Sequence, residues 1–541
     1  MRLAPTLSWP VLTLLASIIF VAFYNVAFWH AVSAANAGST GFLISLALVL
    51  VAVVNLLLSL LTFGRTGKVV LGLLFVLSAL AAYFTNEYGV MINAEMVQNV
   101  VETDVREAGE LFSVKLVGYV AVLGILPVAL LFGCRVARRP LWREALGKLG
   151  GIALSLALML AAIFPYYPDY ASMARNHREL RYLLAPTNYV QASFSFLKKK
   201  LQRPIVVTPI GEDARLGESW HDAERLSVAV LVVGETARAA DFSLGGYGRE
   251  TNPELKQEDV VYFDNVTSCG TETAVSVPCM FSNLGRDNYS DSKAKSQQGL
   301  LDVLHHAGLS VLWLDNNSGC KGTCDRVDYI AVDDTKSPFN CGTKECFDET
   351  LVKALSAKLD TLRHDTVIVL HQKGSHGPAY HLRYPENFAT FTPVCQTNEL
   401  QTCTREQLVN AYDNTIRYTD HVLASVIKVL KQHADRVDAS MLYVSDHGES
   451  LGESNLYLHG TPYLFAPAEQ THIPMLVWMS AETRARSGVD WDCLKGERNK
   501  AFSHDNLFHS MLGVLDVETS VYQADKDLFH ACRQPATLAT Q

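Results

Sequence analysis

Charge is scarce at the start of this 541-residue chain. The first 165 residues hold 10 Lys and Arg and 7 Asp and Glu, whereas the remaining 376 hold 36 and 48. A distribution this uneven rules out both a uniform soluble protein and a disordered one. The charged part carries a net −12 and no basic stripe with interleaved aromatic residues, which argues against a nucleic-acid binder. Cysteine is uneven too: Cys134 stands alone in the first 260 residues, and ten others follow. None of the ten has Cys-x-x-Cys spacing, which argues against a structural zinc ribbon.

The poorly charged part instead contains five apolar stretches, 9–31, 41–63, 69–85, 114–133 and 149–166. Each has roughly the 17–25 residues that carry a helix across hydrocarbon. Arg2 precedes the first, Arg65 and Lys68 separate the second and third, and Arg135, Arg138, Arg139, Arg143 and Lys148 separate the fourth and fifth. If all five span, these basic groups share one side, the cytoplasmic one by the positive-inside rule. Everything after residue 167 then lies on the other side. Arg2, the apolar run and Ala35-Asn36-Ala37 follow the order of a cleavable signal, but the run is too long for a signal core and reads as a span. The ten later cysteines suit an oxidising compartment. Close spacing predicts Cys269–Cys279, Cys320–Cys324, Cys341–Cys346 and Cys395–Cys403, leaving Cys493–Cys532.

Residues 1–166 are therefore expected to form a transmembrane domain, 167–225 an interfacial linker, and 226–541 a folded domain on the far side of the membrane. The linker opens with Tyr166, Tyr167 and Tyr170 and continues with Arg175, Arg178, Arg181 and Lys198 to Lys200, a basic amphipathic pattern that suits a membrane surface and equally a solvated helical linker. From 226 onward, short β-branched runs (226–233, 309–314, 366–370, 441–444, 474–479) alternate with helical periods at 299–307, 348–362 and 405–432. That alternation predicts an α/β fold with a mostly parallel sheet. Ligands bind such sheets at the carboxyl ends of the strands.

Those ends are polar. They read Gly234-Glu235-Thr236, Asp315-Asn316-Asn317-Ser318 with Lys321, His371 followed by Gly374 to Pro378, and Ser445-Asp446-His447-Gly448-Glu449, with His459 beyond. Carboxylates and imidazoles at four strand ends predict a site for Zn²⁺ or Mn²⁺. Glycines after His376 and His447 are expected to let the backbone approach a ligand. Residues 267–279 pack hydroxyls between two cysteines, with a helix expected to start near Thr273. A helix N-terminus stabilises an alkoxide and a phosphate, but Thr271, Thr273 and Ser276 are equal candidates for the nucleophile on composition.

These segments, VGETAR (233–238), SCGTETAVSVPCMFS (268–282), DNNSGCKG (315–322), GSHGP (374–378) and SDHGESLGE (445–453), resemble the lipid A phosphoethanolamine transferases, which include the mobilised colistin-resistance enzymes. The resemblance implies five transmembrane helices and a periplasmic domain of alkaline-phosphatase/sulfatase type. It implies that Glu235, Thr273, Asp446 and His447 hold a tightly bound Zn²⁺, with a second zinc as an alternative. It makes Thr273 the nucleophile, puts His376 and His459 near the donor phosphate, and gives Ser318, Lys321, Asn99, Thr103 and Glu107 donor-binding roles. The implied reaction moves phosphoethanolamine from phosphatidylethanolamine to a lipid A phosphate at the bacterial inner membrane, by a monomer, and confers polymyxin resistance. Transfer to a core sugar, or of phosphoglycerol to a glucan, is the alternative; an inactive membrane-anchored binding protein is a remoter one. Glu272, beside the nucleophile, has no reading from sequence.

Overall fold

The computed structural model describes residues 6–35, 40–62, 64, 66–103, 105–137, 140–167, 169–170, 173, 177–200, 206–220, 225–342 and 346–533. Arg2, Arg65, Arg138, Arg139 and Arg175 lie outside them. The chain divides into two compact units, one of Met1–Gln98 and Phe112–Lys200, the other of Asn99–Leu111 and Leu201–Gln541.

The first unit is helical. Thr40–Leu61, Gly67–Tyr88, Val114–Gly133 and Trp142–Tyr166 are each long and apolar enough to cross a membrane. The expected first span is not straight: Trp9–Phe23 and Val26–Ala34 meet at 59°, so the described residues hold four such helices, or five if the bent pair is one span. Asn25 explains the break. Its side-chain amide donates to the carbonyls of Phe20 and Ala185, both at 2.9 Å, and its oxygen accepts from the Ala185 N–H at 2.7 Å. The Phe20 carbonyl keeps its ladder bond from the Tyr24 N–H, and the Val21 carbonyl, at the break, accepts from the Trp29 indole at 2.9 Å, a partner that hydrocarbon could not supply. Within this unit Asn55 donates to Ser155 at 2.9 Å, and Lys148 donates to the Ser59 carbonyl at 3.2 Å, a cation on the last turn of Thr40–Leu61.

The second unit is built on a seven-stranded sheet. Its strands are β1 (Leu226–Gly234), β2 (Val261–Phe263), β3 (Ser310–Asp315), β4 (Asp328–Ala331), β5 (Thr366–His371), β6 (Val437–Ser445) and β7 (Met475–Met479). They lie side by side in the order β2-β7-β6-β1-β5-β3-β4. The strands β6, β1, β5, β3 and β4 are parallel, while β7 runs opposite to both neighbours. A parallel sheet covered on both faces needs continuous apolar strands, and eight of the nine residues of β1 are buried. On one face, Leu231 and Val233 pack with Val277, Met280, Trp313, Phe508 and Met511.

The helix Arg405–Gln432 begins at Thr404, whose hydroxyl accepts from the Gln407 N–H at 3.2 Å while the Gln407 side chain accepts from the Thr404 N–H at 2.9 Å. This is the reciprocal cap that the sequence spacing predicts. All five predicted disulfides are present, and Cys134 is free. Upstream of β1, Arg215–Leu216 pairs with Val517–Glu518, and the Trp220 indole donates to the Leu515 carbonyl at 2.7 Å.

Replacement of the fully buried Leu231 by Ala is expected to cost the second unit about 2–5 kcal/mol. Thr404→Ala is expected to cost about 1 kcal/mol. Denaturant unfolding followed by tryptophan fluorescence measures both, and equal losses would contradict this packing.

Candidate active site

The central parallel strands bring their carboxyl ends to one place. β1 delivers Glu235, β6 delivers Asp446 and His447, and β5 runs into the turn carrying His376. One ligand atom from each of Glu235, Asp446 and His447 fits within 4.8 Å of the others, and all three residues are at most 1% exposed. The helix Thr273–Met280 points its first residue into this cluster. Glu272 caps it in extended conformation (φ −155°, ψ 148°), so the chain enters the helix abruptly at Thr273. The Thr273 hydroxyl lies 3.3 and 3.1 Å from the two Glu235 oxygens and 3.4 Å from His447 Nε2. The other two hydroxyls point elsewhere: Thr271 donates to the Thr461 carbonyl at 2.7 Å, and Ser276 accepts from the Gly270 N–H at 3.0 Å.

The electrostatics of the cluster call for a cation. His447 Nδ1 faces the Gly448 carbonyl at 2.9 Å and so carries the proton, which leaves the lone pair on Nε2. That lone pair faces Glu235 Oε1 and Asp446 Oδ2, each at 3.4 Å. Asp446 Oδ2 is buried and accepts no hydrogen bond among the described residues. Burial and then the Glu235 charge push the Asp446 carboxyl well up. In Glu235 burial acts the same way, but the nearby imidazoles, His447 foremost, outweigh it and hold the carboxyl at about 2. Burial, then the His459 charge, depresses His447 to about 3. Two carboxylates, an imidazole lone pair and a hydroxyl converging in a dry site fit a divalent metal ion, which neutralises charges that are otherwise costly to bury.

His376 and His459 stand at the edge of the cluster. The His459 ring is 4.4 Å from that of His447 and 5.5 Å from that of His376. Its Nδ1 lies 2.8 Å from Glu449 Oε2, and Glu449 also accepts from the Tyr380 hydroxyl. Burial disfavours the His459 cation, but the Glu449 carboxylate outweighs it and raises the pKa to about 9. On the loop after β3, Lys321 donates to the Ser318 hydroxyl at 2.9 Å and the Ser318 carbonyl at 3.1 Å. Thr236 (φ 56°) and Lys321 (φ 53°) both hold left-handed backbone, a strain that sites of function tolerate.

The segment Asn99–Leu111 groups with the catalytic unit. Thr103 donates its hydroxyl to the Asn99 carbonyl at 2.7 Å within a helical turn. Glu107 lies in the helix Val105–Glu110, and its side chain is outside the described residues.

The two glycines serve the protein's own packing rather than a ligand's approach. A Cβ on Gly448 would stand 2.1 Å from the Glu469 carbonyl oxygen, and one on Gly377 would stand 2.7–2.8 Å from Leu458, Tyr380 and Glu449. Sequence reading also passed over Asn317, whose amide donates to Glu235 Oε2 at 2.7 Å and to the Gln372 carbonyl at 2.9 Å. It passed over the buried pair His371 and Asp315, 2.6 Å apart, as well. Both sit at strand ends already marked as polar, which was the available signal.

Chelation should destabilise the protein, and added Zn²⁺ should restore it. Asp446→Asn is expected to raise the metal-free melting temperature by removing a buried carboxylate and to abolish the stabilisation by Zn²⁺; a variant that still responds to the metal would contradict this. In the metal-free protein, the raised pKa of His459 gives stability that is full below about 6.5 and fades as pH rises through about 9. Glu449→Gln should remove that window from a melting-temperature profile.

Comparison with known proteins gives the fold a family. Residues 227–517 match the family described as Sulfatase, and residues 50–201 match Phosphoethanolamine transferase EptA/EptB. The chain is 42% identical over 538 residues to phosphoethanolamine transferase EptA of Escherichia coli K12, covering 97% of this chain and 98% of that protein. It is 41% identical over 522 residues to phosphatidylethanolamine transferase Mcr-1 of Escherichia coli, covering 94% and 95%. Its structure superposes on the integral membrane protein lipooligosaccharide phosphoethanolamine transferase A of Neisseria meningitidis with a TM-score of 0.94 at 36% identity, covering 98% of this chain and all of that one. The chain belongs to the EptA family and is a membrane-inserted phosphoethanolamine transferase with a sulfatase-type catalytic unit.

Proposed function

We propose that the protein transfers phosphoethanolamine from phosphatidylethanolamine to a lipid A phosphate through a covalent intermediate on Thr273. The observation that carries this reading is the Thr273 hydroxyl, at a helix N-terminus and within 3.4 Å of both Glu235 and His447. The oxygen of Thr273 attacks the phosphorus of the donor, a new P–O bond forms, and the bond to the diacylglycerol oxygen breaks. The hydroxyl proton leaves Thr273, and the diacylglycerol oxygen gains one, with His376 or His459 as the carrier. A lipid A phosphate oxygen then attacks the same phosphorus, and Thr273 departs and regains a proton. Each step makes one P–O bond and breaks one.

Glu235, Asp446, His447 and Thr273 would hold one Zn²⁺. The bound ion supplies a charge that favours the alkoxide form of the Thr273 hydroxyl. Lys321 and Ser318, with Asn99, Thr103 and Glu107, orient the donor, and the Lys321 ammonium offsets phosphoryl charge. Residues 1–166 act as a five-span anchor, 167–225 as the interfacial linker and 226–541 as the catalytic domain, placed in the periplasm by the loop charges of the inner-membrane helices. The protein acts as a monomer. Adding a cationic amine to an anionic headgroup weakens the attraction of cationic peptides, so the activity confers polymyxin resistance. The names of the EptA and Mcr-1 relatives support the donor group and the donor lipid respectively.

Mass spectrometry of lipid A from Gram-negative cells tests the reading. Wild type should add one phosphoethanolamine mass, and Thr273→Ala should add none. An adduct on core sugar or glucan instead, with lipid A unmodified, would replace the acceptor. An adduct that survives Thr273→Ala would overturn the nucleophile.

A further inference from the structure

The second displacement brings a second anionic phosphate to a site whose own cations, His459 and the proposed Zn²⁺, already face Glu449, Glu235 and Asp446. If the acceptor is a phosphate monoester, as proposed above, it brings up to two negative charges to a site already lined by Glu235 and Asp446. Lys321 and Ser318 belong to the loop after β3 and are occupied in orienting the donor. A further cation fixed on the nucleophile segment would hold the acceptor without competing for those charges.

Arg286 is such a cation. Its guanidinium donates to the carbonyl of Cys269, inside the disulfide ring Cys269–Cys279 that carries Thr273. It also lies flat over the Tyr463 ring, 3.8 Å from the centre. Tyr463 is itself fixed, because its hydroxyl donates to the Ser268 carbonyl at 2.8 Å. The loop bearing Tyr463 is tied to the nucleophile segment twice more, by the Thr271 hydroxyl on the Thr461 carbonyl at 2.7 Å and by the Gly460 N–H on the Thr271 carbonyl at 2.8 Å. The same loop begins with His459.

Among the described residues no carboxylate comes within ion-pair distance of this guanidinium. Asp505 accepts the Arg286 backbone N–H at 2.8 Å, and Glu272, Glu102 and Asp291 share with Arg286 the surroundings of Tyr289 without pairing with the guanidinium. A guanidinium has five N–H donors in a planar fork. With one on Cys269 and a face on Tyr463, the others remain for a ligand, and little side-chain entropy is left to lose on binding. Leu464, next to Tyr463 in the chain, is 79% exposed, an apolar side chain open on the same short helical turn. A rigid guanidinium fork near an apolar side chain is the chemistry that recognises a phosphate monoester on an amphiphile.

We propose that Arg286, held on Tyr463, is the acceptor-phosphate subsite of this transferase. It binds the lipid A phosphate bidentately and delivers it to the phosphorylated Thr273.

The test separates the two half-reactions of the full-length protein in detergent. Diacylglycerol release from a fluorescent phosphatidylethanolamine without acceptor reports the first step. Transfer at increasing lipid A concentration reports the second. Arg286→Gln is expected to raise the KM for lipid A about tenfold or more, while diacylglycerol release changes less than twofold. Arg286→Lys, which keeps the charge but loses the fork, should fall between. Glucose 1-phosphate should compete with lipid A in the wild type and not in Arg286→Gln, and glucose should compete in neither. Equal loss in both half-reactions, or an unchanged KM for lipid A in a folded variant, would overturn the subsite. Should the wild type release diacylglycerol and form no lipid A product, the acceptor assignment itself fails, and this inference with it. Should the product form and Arg286→Gln leave its KM unchanged, only the inference fails.

Discussion

Two carboxylates, Glu235 and Asp446, are buried against each other with the lone pair of His447 between them. In a dry interior this arrangement is repulsive, and Asp446 answers it by holding its proton far above the usual carboxylate range. Nothing in ordinary packing favours such a cluster. A divalent cation held by Glu235, Asp446 and His447 would resolve the conflict, and in the proposed reaction its charge would favour the alkoxide form of the Thr273 hydroxyl. Without a cation, burying the two acids against each other costs the fold stability.

The rest of the catalytic unit can be read as support for that cluster. A parallel sheet collects strand ends at one edge, so residues more than two hundred positions apart, Glu235 and Asp446, arrive side by side in the β1–β6 register. The Cys269–Cys279 bridge spans the start of the helix Thr273–Met280 and keeps the entry into Thr273 short. Around this centre lies a ring of carboxylate and amide groups: Glu449 behind His459, Asp315 behind His371, and Asn317 on Glu235. They fix the tautomers and directions of the groups that face the substrate, much as outer groups orient metal ligands elsewhere.

Much of this was legible from residues alone, because two signals were local. Apolar runs of four to eight residues ending in acidic and imidazole groups identified β1, β3, β5 and β6 and the cluster at their ends. Close cysteine spacing identified four disulfides and left the fifth. Where the sequence was silent, the determinant was not local. An apolar run carries no direction, so the reversal of β7 against β6 could not be seen at 474–479. Val261–Phe263 is too short, and Asp328–Ala331 too polar, to stand out as strands. Hydropathy measures burial and not continuity, so the break at Asn25 was invisible until its amide was seen on Phe20 and Ala185. Thr271, Thr273 and Ser276 are chemically alike, and only the turn into the helix sends one of them to Glu235.

The account turns on a covalent bond to one hydroxyl, and that bond can be looked for directly. The full-length protein, loaded with zinc, is mixed with phosphatidylethanolamine in the absence of any acceptor, quenched in acid, digested and mapped by mass spectrometry. The account predicts a phosphoethanolamine adduct on Thr273, removed when lipid A is added before the quench. An adduct on a different residue, or transfer to lipid A with no protein adduct at any time, would contradict it.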